Sequence, residues 1–174
     1  MPPIGVHKRL RPGLPHWSKS AASITAGNTV LNQDFKRFVQ SLNDNGVRYL
    51  IVGGYAVALH GHPRYTKDLD VWIERSPANA DSVLRALAQF GLGTLALTQE
   101  DFLLPDGIVQ LGYPPSRIDL INQCSGVDFA QCYSHRIEVE VDGVQVMCIN
   151  LDDLRANKKA SGRHQDLADL ENLE

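Results

Sequence analysis

The feature that most constrains the fold is a double glycine between two apolar segments. Residues Arg48 to Val52 form a short apolar run, Gly53-Gly54 follows, and Tyr55 to His60 has the pattern of a helix. Glycine has no Cβ, so it permits a sharp turn and lets backbone N–H groups approach a phosphate at a helix start. The segment therefore predicts a strand, a glycine turn that can bind phosphate, and a helix. A turn with no ligand is the alternative.

A second strand predicted after this unit carries two acids. In the run Asp68 to Ile73, apolar residues alternate with Asp68 and Asp70, which places both acids on one face of a strand. Side chains two residues apart on a strand are about 7 Å apart at Cα, so the two carboxylates can converge on a cation. The alternative is an edge strand with both acids in water. A third acid, Asp119, lies in the apolar run Arg117 to Ile121.

These acids point to metal-dependent chemistry on phosphates. Three carboxylates on neighbouring strands can hold two metal ions about 3.5 to 4 Å apart, the arrangement that supports in-line phosphoryl displacement. A phosphate-binding turn that precedes an acid pair in the chain strengthens this interpretation. The combination therefore predicts nucleotide chemistry.

The remaining patterns predict alternating strands and helices. Predicted helices cover residues 31–42, 76–90, 150–158 and 165–173, and predicted hairpins cover 108–121 and 137–148. Asp142-Gly143 suits a two-residue type I′ turn, which pairs Val141 with Val144 and places Val139 and Val146 on the same face. The predicted fold class is α/β (α+β), with a mixed sheet flanked by helices.

Length and charge limit the classes of protein that fit. A chain of 174 residues suits one domain, and its longest apolar stretch, 11 residues interrupted by the double glycine, is too short to cross a membrane. Residues 1–30 are basic, rich in proline and without periodicity, so we predict a flexible arm before a domain at residues 31–174. After residue 33 the net charge is −7, which argues against binding nucleic acid by bulk charge alone.

The number and spacing of the three cysteines indicate the redox state of the cellular compartment. Cys124, Cys132 and Cys148 are odd in number and lack a close pair spacing. This pattern favours reduced, partly buried thiols, and therefore a cytoplasmic location, over a disulfide framework. A zinc site that includes His135 is disfavoured because the usual close spacing of ligands is missing.

The sequence resembles the DNA polymerase β-like nucleotidyltransferase superfamily. The resemblance rests on the runs Tyr49 to Ala56, Arg64 to Val71 and Ile118 to Leu120, with 13 residues between Gly54 and Asp68. Small bacterial nucleotidyltransferase-like proteins of toxin–antitoxin and abortive-infection systems are more similar still. They share the Arg-x-Thr-x-Asp-hydrophobic-Asp run and a C-terminal portion similar to residues 153–170, although Gln165 stands where relatives often have Lys.

The resemblance implies roles for individual residues. Gly53 and Gly54 would hold the triphosphate of an NTP, and Asp68 and Asp70 would bind two Mg²⁺ ions. Asp119 would complete one metal site and help to deprotonate the acceptor hydroxyl. The expected phosphate contacts are Arg64, Thr66 and Lys158, with a solvated helix face as the alternative for Lys158.

The predicted activity is the transfer of NMP from an NTP to an acceptor hydroxyl, with release of pyrophosphate. The acceptor is an RNA end, a protein side chain or a small molecule, and the expected protein partner is a cognate toxin or antitoxin. One alternative is a catalytically idle antitoxin or binding module. Another is a metal-dependent glycosyltransferase that uses Asp68 and Asp70, although the chain has no room for the usual preceding nucleotide-binding sheet.

Overall fold

The protein is built on one mixed sheet, seen in a computed structural model. The structure describes residues 31–113 and 116–173, and the backbone of residues 7–10, 24–25 and 28–29. Its strands are β1 (His7–Leu10), β2 (Ile24–Thr25), β3 (Asn28–Thr29), β4 (Tyr49–Val52), β5 (Asp68–Ile73), β6 (Ile108–Leu111), β7 (Arg117–Ile121), β8 (Ile137–Val141) and β9 (Val144–Cys148). Its α-helices are α1 (Gln33–Asp44), α2 (Gly53–Leu59), α3 (Pro77–Leu87), α4 (Gln99–Leu103), α5 (Phe129–Ser134), α6 (Leu151–Ser161) and α7 (His164–Leu173), and a π-helical turn (Ala88–Leu92) follows α3.

The sheet order places the two acid-bearing strands side by side. Strands run in the order β1-β6-β7-β5-β4-β9-β8, and β2 pairs with β3 separately. Strand β5 is antiparallel to β4 and parallel to β7, which is antiparallel to β6. The predicted α/β class, with a mixed sheet flanked by helices, is therefore confirmed.

Two hydrophobic clusters lie on opposite faces of the sheet. Leu69, Val71 and Ile73 belong to the cluster that includes α1 and α3. Trp72 belongs to the other cluster, with Leu154 of α6 and Leu173 of α7. Because side chains alternate along a strand, the acids of β5 share the face of Trp72. The acids therefore lie on the face that α6 and α7 cover.

Local signals set several element boundaries as predicted. Asn32, Ser76 and Asn150 each accept a hydrogen bond from a backbone N–H at the start of a helix. Asp142 and Gly143 both have positive φ, and Val141 pairs with Val144 as the turn type requires. One boundary differs: α2 begins at Gly53, so both glycines belong to the first helical turn rather than to a separate turn before it.

The N-terminal region adds two pairings that the sequence did not predict. The backbone of β1 pairs in parallel with β6 at one edge of the sheet, and β2 pairs with β3 in an antiparallel arrangement. The rest of residues 1–30 lies outside the described residues, so the flexible arm stays a prediction. No helix in the described part of the chain has the length and apolar character needed to span a membrane.

Candidate active site

Strand register brings the three predicted acids together. Asp70 of β5 lies opposite Asp119 of β7, and Asp68 lies opposite Arg117. All four side chains point to one face because they alternate with buried apolar residues on both strands. Asp68, Asp70 and Asp119, together with Arg117, are called the acid cluster below.

Arg117 joins two of these acids. Its Nη2 donates to Asp68 Oδ2 at 2.7 Å and to Asp119 Oδ2 at 2.9 Å, and its Nε donates to Asp119 Oδ1 at 2.8 Å. Gln110 of the neighbouring strand donates to Asp119 Oδ2 at 3.3 Å. One guanidinium therefore neutralises part of the charge of two carboxylates, those of Asp68 and Asp119.

Asp70 is the acid without such compensation. Among the described residues no hydrogen bond or ion pair engages its carboxylate, which lies against the Cα of Gly53, where a Cβ would collide with it. Burial, followed by the nearby charges of Asp119 and Asp68, raises the pKa of Asp70 to about 7. Gly53 has φ of +63°, so both its backbone and the Asp70 carboxylate require glycine there.

Asp68 is also incompletely satisfied. Its Oδ1 is buried and has no hydrogen-bond partner in the described part of the chain. Burial raises the pKa of Asp68, and Arg117 works in the opposite direction. Buried polar atoms are normally paired, so this oxygen is available for a ligand.

A cleft of about 430 Å³ opens beside the acid cluster. This volume lies in the range of about 300 to 1,000 Å³ that is usual for small-molecule sites. Acids, glycines, a thiol and cations share its wall, which includes Gly53, Asp70, Asp106, Asp119, Cys124, Asn157, Lys158, Arg163 and Asp166. The predicted residues Gly53, Asp70, Asp119 and Lys158 therefore face one cleft.

The predicted phosphate contacts Arg64 and Lys158 are paired with acids of α7. Lys158 is almost fully buried, and its Nζ lies 3.0 Å from Asp166 Oδ1 and 2.7 Å from Asp169 Oδ2. Arg64 Nη2 donates to Asp169 Oδ2 at 2.9 Å, with Nε 2.7 Å from Oδ1. Lys158 is therefore buried in ion pairs within the protein, so it lies neither on a solvated helix face nor free to contact a phosphate.

Arg163 completes this second group and reaches the cleft. Its Nε lies 2.8 Å from Asp166 Oδ2, while 78% of its side chain is exposed. Arg64, Lys158, Arg163, Asp166 and Asp169 are called the ion network below. Burial works to raise the pKa of Asp166 and Asp169, but hydrogen bonds from their cationic partners outweigh it, and both pKa values are lowered.

Gly54 and Thr66 lie between the two groups. A Cβ on Gly54 would come within 2.7 Å of Thr66 Oγ1 and 3.0 Å of Arg64 Nη2. Thr66 Oγ1 donates to the carbonyl oxygen of Asp68 at 3.3 Å. Gly54 therefore makes room for the loop before β5, whereas Gly53 makes room for Asp70.

The donor chemistry of the acid cluster fits Mg²⁺. Carboxylate oxygens are the ligands that Mg²⁺ prefers, and the unpartnered Asp68 Oδ1 and the uncompensated Asp70 offer such oxygens. Within the residues that the structure describes, no group of three or more His, Cys, Asp or Glu residues is set to hold a metal ion as it stands. The guanidinium of Arg117 lies between Asp68 and Asp119.

Sequence reasoning did not assign roles to Arg117, Arg163, Asp166 or Asp169. A signal existed for Arg117, because residues two apart on a strand share a face and Asp119 follows it at that spacing. No local signal marks the contact between Arg64 and Asp169, which are 105 residues apart.

The three cysteines, Trp72 and His60 are held by packing or hydrogen bonds within the fold. Cys124, Cys132 and Cys148 are free and buried, as predicted. Trp72 is buried and makes an edge-to-face contact with Phe129 at 5.1 Å between ring centroids. His60 Nε2 lies 2.8 Å from the carbonyl oxygen of Ile149, at the end of α2.

Comparison with solved structures found a protein that shares the fold. A candidate nucleotidyltransferase of Thermotoga maritima shares the fold with a TM-score of 0.55 and 14% identity, over 84% of this chain and 95% of that one. An antigenic nucleotidyltransferase-like protein of Paracoccidioides brasiliensis gives a TM-score of 0.48 and 18% identity, over 83% and 77%. Curated protein sequences gave no match.

The family assignment rests on the sequence match. Residues 30–174 match the model of a family described as a nucleotidyltransferase of unknown function, DUF6036. The matched segment contains the acid cluster, the double glycine and the ion network. Since the match covers most of the chain, the protein belongs to the DUF6036 nucleotidyltransferase family.

Proposed function

We propose that this protein is a Mg²⁺-dependent nucleotidyltransferase that transfers NMP from an NTP to an acceptor hydroxyl. The observation that carries the proposal is the register of β5 and β7, which sets Asp70 beside Asp119 and next to the glycine at the start of α2. Family membership supports the same chemistry.

The charges around the cleft suit a metal-bound triphosphate. On one side, the acid cluster has three carboxylates and one cation, Arg117, which pairs with Asp68 and Asp119. On the other, the ion network has three cations for two carboxylates, and Arg163 extends into the cleft. Mg²⁺ ions beside Asp68, Asp70 and Asp119 would supply positive charge to the phosphate oxygens. Arg163, with Lys158 and Arg64 behind it, favours a polyanion on the opposite side.

The reaction balances at the α-phosphorus. The acceptor oxygen forms a bond to this phosphorus, the bond to the bridging α–β oxygen breaks, and pyrophosphate leaves with the electron pair. Asp119 takes the acceptor proton in this proposal. Both oxygens of Asp119 accept hydrogen bonds from Arg117, so Asp119 acts as a base after that pairing loosens.

The acceptor is expected among RNA ends, protein hydroxyls and small molecules, and the resemblance to toxin–antitoxin proteins favours a cognate partner protein. To test the proposal, the purified protein is incubated with Mg²⁺ and each of four α-labelled NTPs. Total RNA and cell lysate are supplied as acceptors. Label in RNA or in a protein band identifies the acceptor class, and label in a low-mass product identifies a small molecule. Label that the Asp70→Asn variant also incorporates would overturn the proposal.

Within the acid cluster, Asp119 has a different expected role from Asp68 and Asp70. Asp119→Asn should retain most Mg-NTP affinity, because Asp68 and Asp70 remain, but transfer should fall by at least about 100-fold. Isothermal titration with a non-hydrolysable NTP and the labelling assay measure the two effects separately. Equal loss of NTP affinity in Asp119→Asn and Asp70→Asn would remove the special role of Asp119.

A catalytically idle NTP-binding module is the second candidate. The observation that favours it is Arg117, whose single Nη2 already pairs with two of the three acids. NTP binding without label transfer to any acceptor in the same assay would support this candidate.

A further inference from the structure

Arg117 occupies the position of a cation within the acid cluster. Its Nη2 lies 2.7 Å from Asp68 Oδ2 and 2.9 Å from Asp119 Oδ2, so one nitrogen bridges carboxylates of two strands. The two acids that it bridges are two of the three to which the proposed function assigns metal ions. A guanidinium and a divalent ion cannot share these oxygens in the same geometry.

We propose that Arg117 is a resident counter-cation that the divalent metal ion must displace, so that the acid cluster takes up metal only together with an NTP. This inference rests on the proposed function. Its basis is the geometry of Arg117, which pairs with Asp119 through two nitrogens and with Asp68 through one.

The energetic argument follows from charge and exposure. Removing Arg117 from the half-buried carboxylates costs a charge-assisted, bidentate interaction. A metal ion alone must offset that cost, whereas a metal-bound triphosphate also gains contacts with the cations across the cleft. The Arg117 side chain is 26% exposed, so it has a route out of the cluster toward solvent.

The consequence is a metal affinity that depends on nucleotide. Without NTP, Arg117 suppresses the binding of free metal ions to Asp68 and Asp119. With NTP, the guanidinium leaves Asp119, which frees this carboxylate to accept the proton of the acceptor. Arg117 is thus a positioning residue that couples nucleotide binding to assembly of the site.

The test measures metal binding without NTP and without turnover. Mn²⁺ is titrated into the wild-type protein and the Arg117→Gln variant, and free Mn²⁺ is followed by electron paramagnetic resonance. Arg117→Gln should bind Mn²⁺ about tenfold more tightly than wild type, since a neutral amide no longer competes for the carboxylates. The matched control is Arg136→Gln, because Arg136 also pairs with an acid at i,i+2, Glu138 at 2.7 Å, and is not part of the acid cluster. The control should bind Mn²⁺ as wild type does.

Two further measurements keep the inference testable if Arg117→Gln does not fold. Arg117→Lys keeps the charge but loses the bidentate pairing with Asp119, so it should bind Mn²⁺ more tightly than wild type, but by less than about tenfold. In the ¹⁵N-labelled wild-type protein, the Arg117 Nε–H signal, assigned by its loss in Arg117→Lys, should shift on addition of Mg²⁺ with a non-hydrolysable NTP and stay in place with Mg²⁺ alone.

The outcomes separate this inference from the proposed function. Equal or weaker Mn²⁺ binding by Arg117→Gln, or an Arg117 signal unmoved by Mg-NTP, would overturn the role of Arg117 while metal binding itself stands. Absence of Mn²⁺ binding by every protein, with and without NTP, would overturn the inference and the proposed metal-dependent transfer together.

Discussion

The acid cluster and the ion network both contribute to the lining of one cleft, but the pKa values of their aspartates are shifted in opposite directions. Both contain aspartates largely removed from water. In the ion network, hydrogen bonds from cationic partners lower the pKa values of Asp166 and Asp169. In the acid cluster, burial and neighbouring carboxylates raise those of Asp70 and Asp68.

The difference separates a structural charge arrangement from a functional one. In the ion network each acid is paired with two cations, Asp166 with Lys158 and Arg163, and Asp169 with Lys158 and Arg64. Within the described residues, the acid cluster has an unpartnered oxygen on Asp68 and a carboxylate on Asp70 that makes no ion pair, although the charges of Arg163 and Arg117 act to lower its pKa. A deficit of positive charge beside a cleft is the property expected of a site that binds a cationic ligand.

The largest effect should come from removing the charge of Asp70. We expect Asp70→Asn to lower transfer by about 1,000-fold or more, because the amide cannot attract a metal ion, while the fold is kept at nearly constant volume. The matched control is Asp106→Asn, at an exposed acid of the same cleft whose φ of +55° asparagine tolerates.

The labelling assay compares both variants at saturating Mg²⁺ and NTP. Transfer by Asp106→Asn should stay within about threefold of wild type, since Asp106 belongs to neither charge group. Near wild-type transfer by Asp70→Asn would show that the deficit of positive charge in the acid cluster is not required for catalysis.

A substitution in the ion network should affect the stability of the fold. Lys158→Met should lower the free energy of unfolding by about 3 kcal/mol, because it leaves Asp166 and Asp169 buried with one cation fewer. Lys159→Met is the control, on the exposed neighbour in the same helix. Denaturant unfolding measures both. A loss for Lys158→Met no larger than that of the control would mean that the ion network does not stabilise the fold.

Local patterns were sufficient for most of the longer helices and strands and for the acid cluster. Capping by Asn32 and Asn150, the register of the β8–β9 hairpin and the shared face of Asp68 and Asp70 all follow from neighbouring residues. The approach of Asp119 to Asp70 followed from placing the two strands together.

The ion network depends on contacts between residues far apart in the chain, which sequence spacing does not encode. Asp169 of α7 meets Arg64, in the loop between α2 and β5, across 105 residues of sequence, and no periodicity specifies that contact. Short helices such as Gln99–Leu103 and Phe129–Ser134 lack enough turns for a periodic signal, and they were not predicted.

A pH series on the metal-free protein distinguishes the two kinds of aspartate. The folded pKa of Asp70, about 7, lies above its unfolded value of about 3.9, so folding favours its protonated form. This contribution to stability is fully present below pH 4 and is lost as pH rises through 7. Asp70→Asn lacks this titration, so its advantage over wild type should grow across that window to about 4 kcal/mol.

Thermal midpoints of wild type and Asp70→Asn between pH 4 and pH 8 measure this difference, with Asp106→Asn as the reference. An advantage that does not change with pH would show that Asp70 is ionised normally in the folded protein. Mg²⁺ with a non-hydrolysable NTP should reduce the advantage, since the charged carboxylate then has a partner.

The smallest expected effect concerns Gly54, which lies where the two regions meet. Its φ is not positive, so alanine is allowed by the backbone, and helix propensity alone would favour it by about 1 kcal/mol. The new Cβ would lie 2.9 Å from Thr66 Cβ, however, and 3.0 Å from Arg64 Nη2, so the loop before β5 must move. We expect Gly54→Ala to lower stability by about 1 kcal/mol and NTP affinity several-fold, because Arg64 shifts relative to Asp169.

Gly93→Ala is the control, with a φ of −63° and its nearest contact at 3.3 Å. Denaturant unfolding and isothermal titration measure both variants. If Gly54→Ala is as stable as Gly93→Ala and binds NTP as wild type does, the packing of Gly54 against Thr66 and Arg64 does not connect the acid cluster to the ion network.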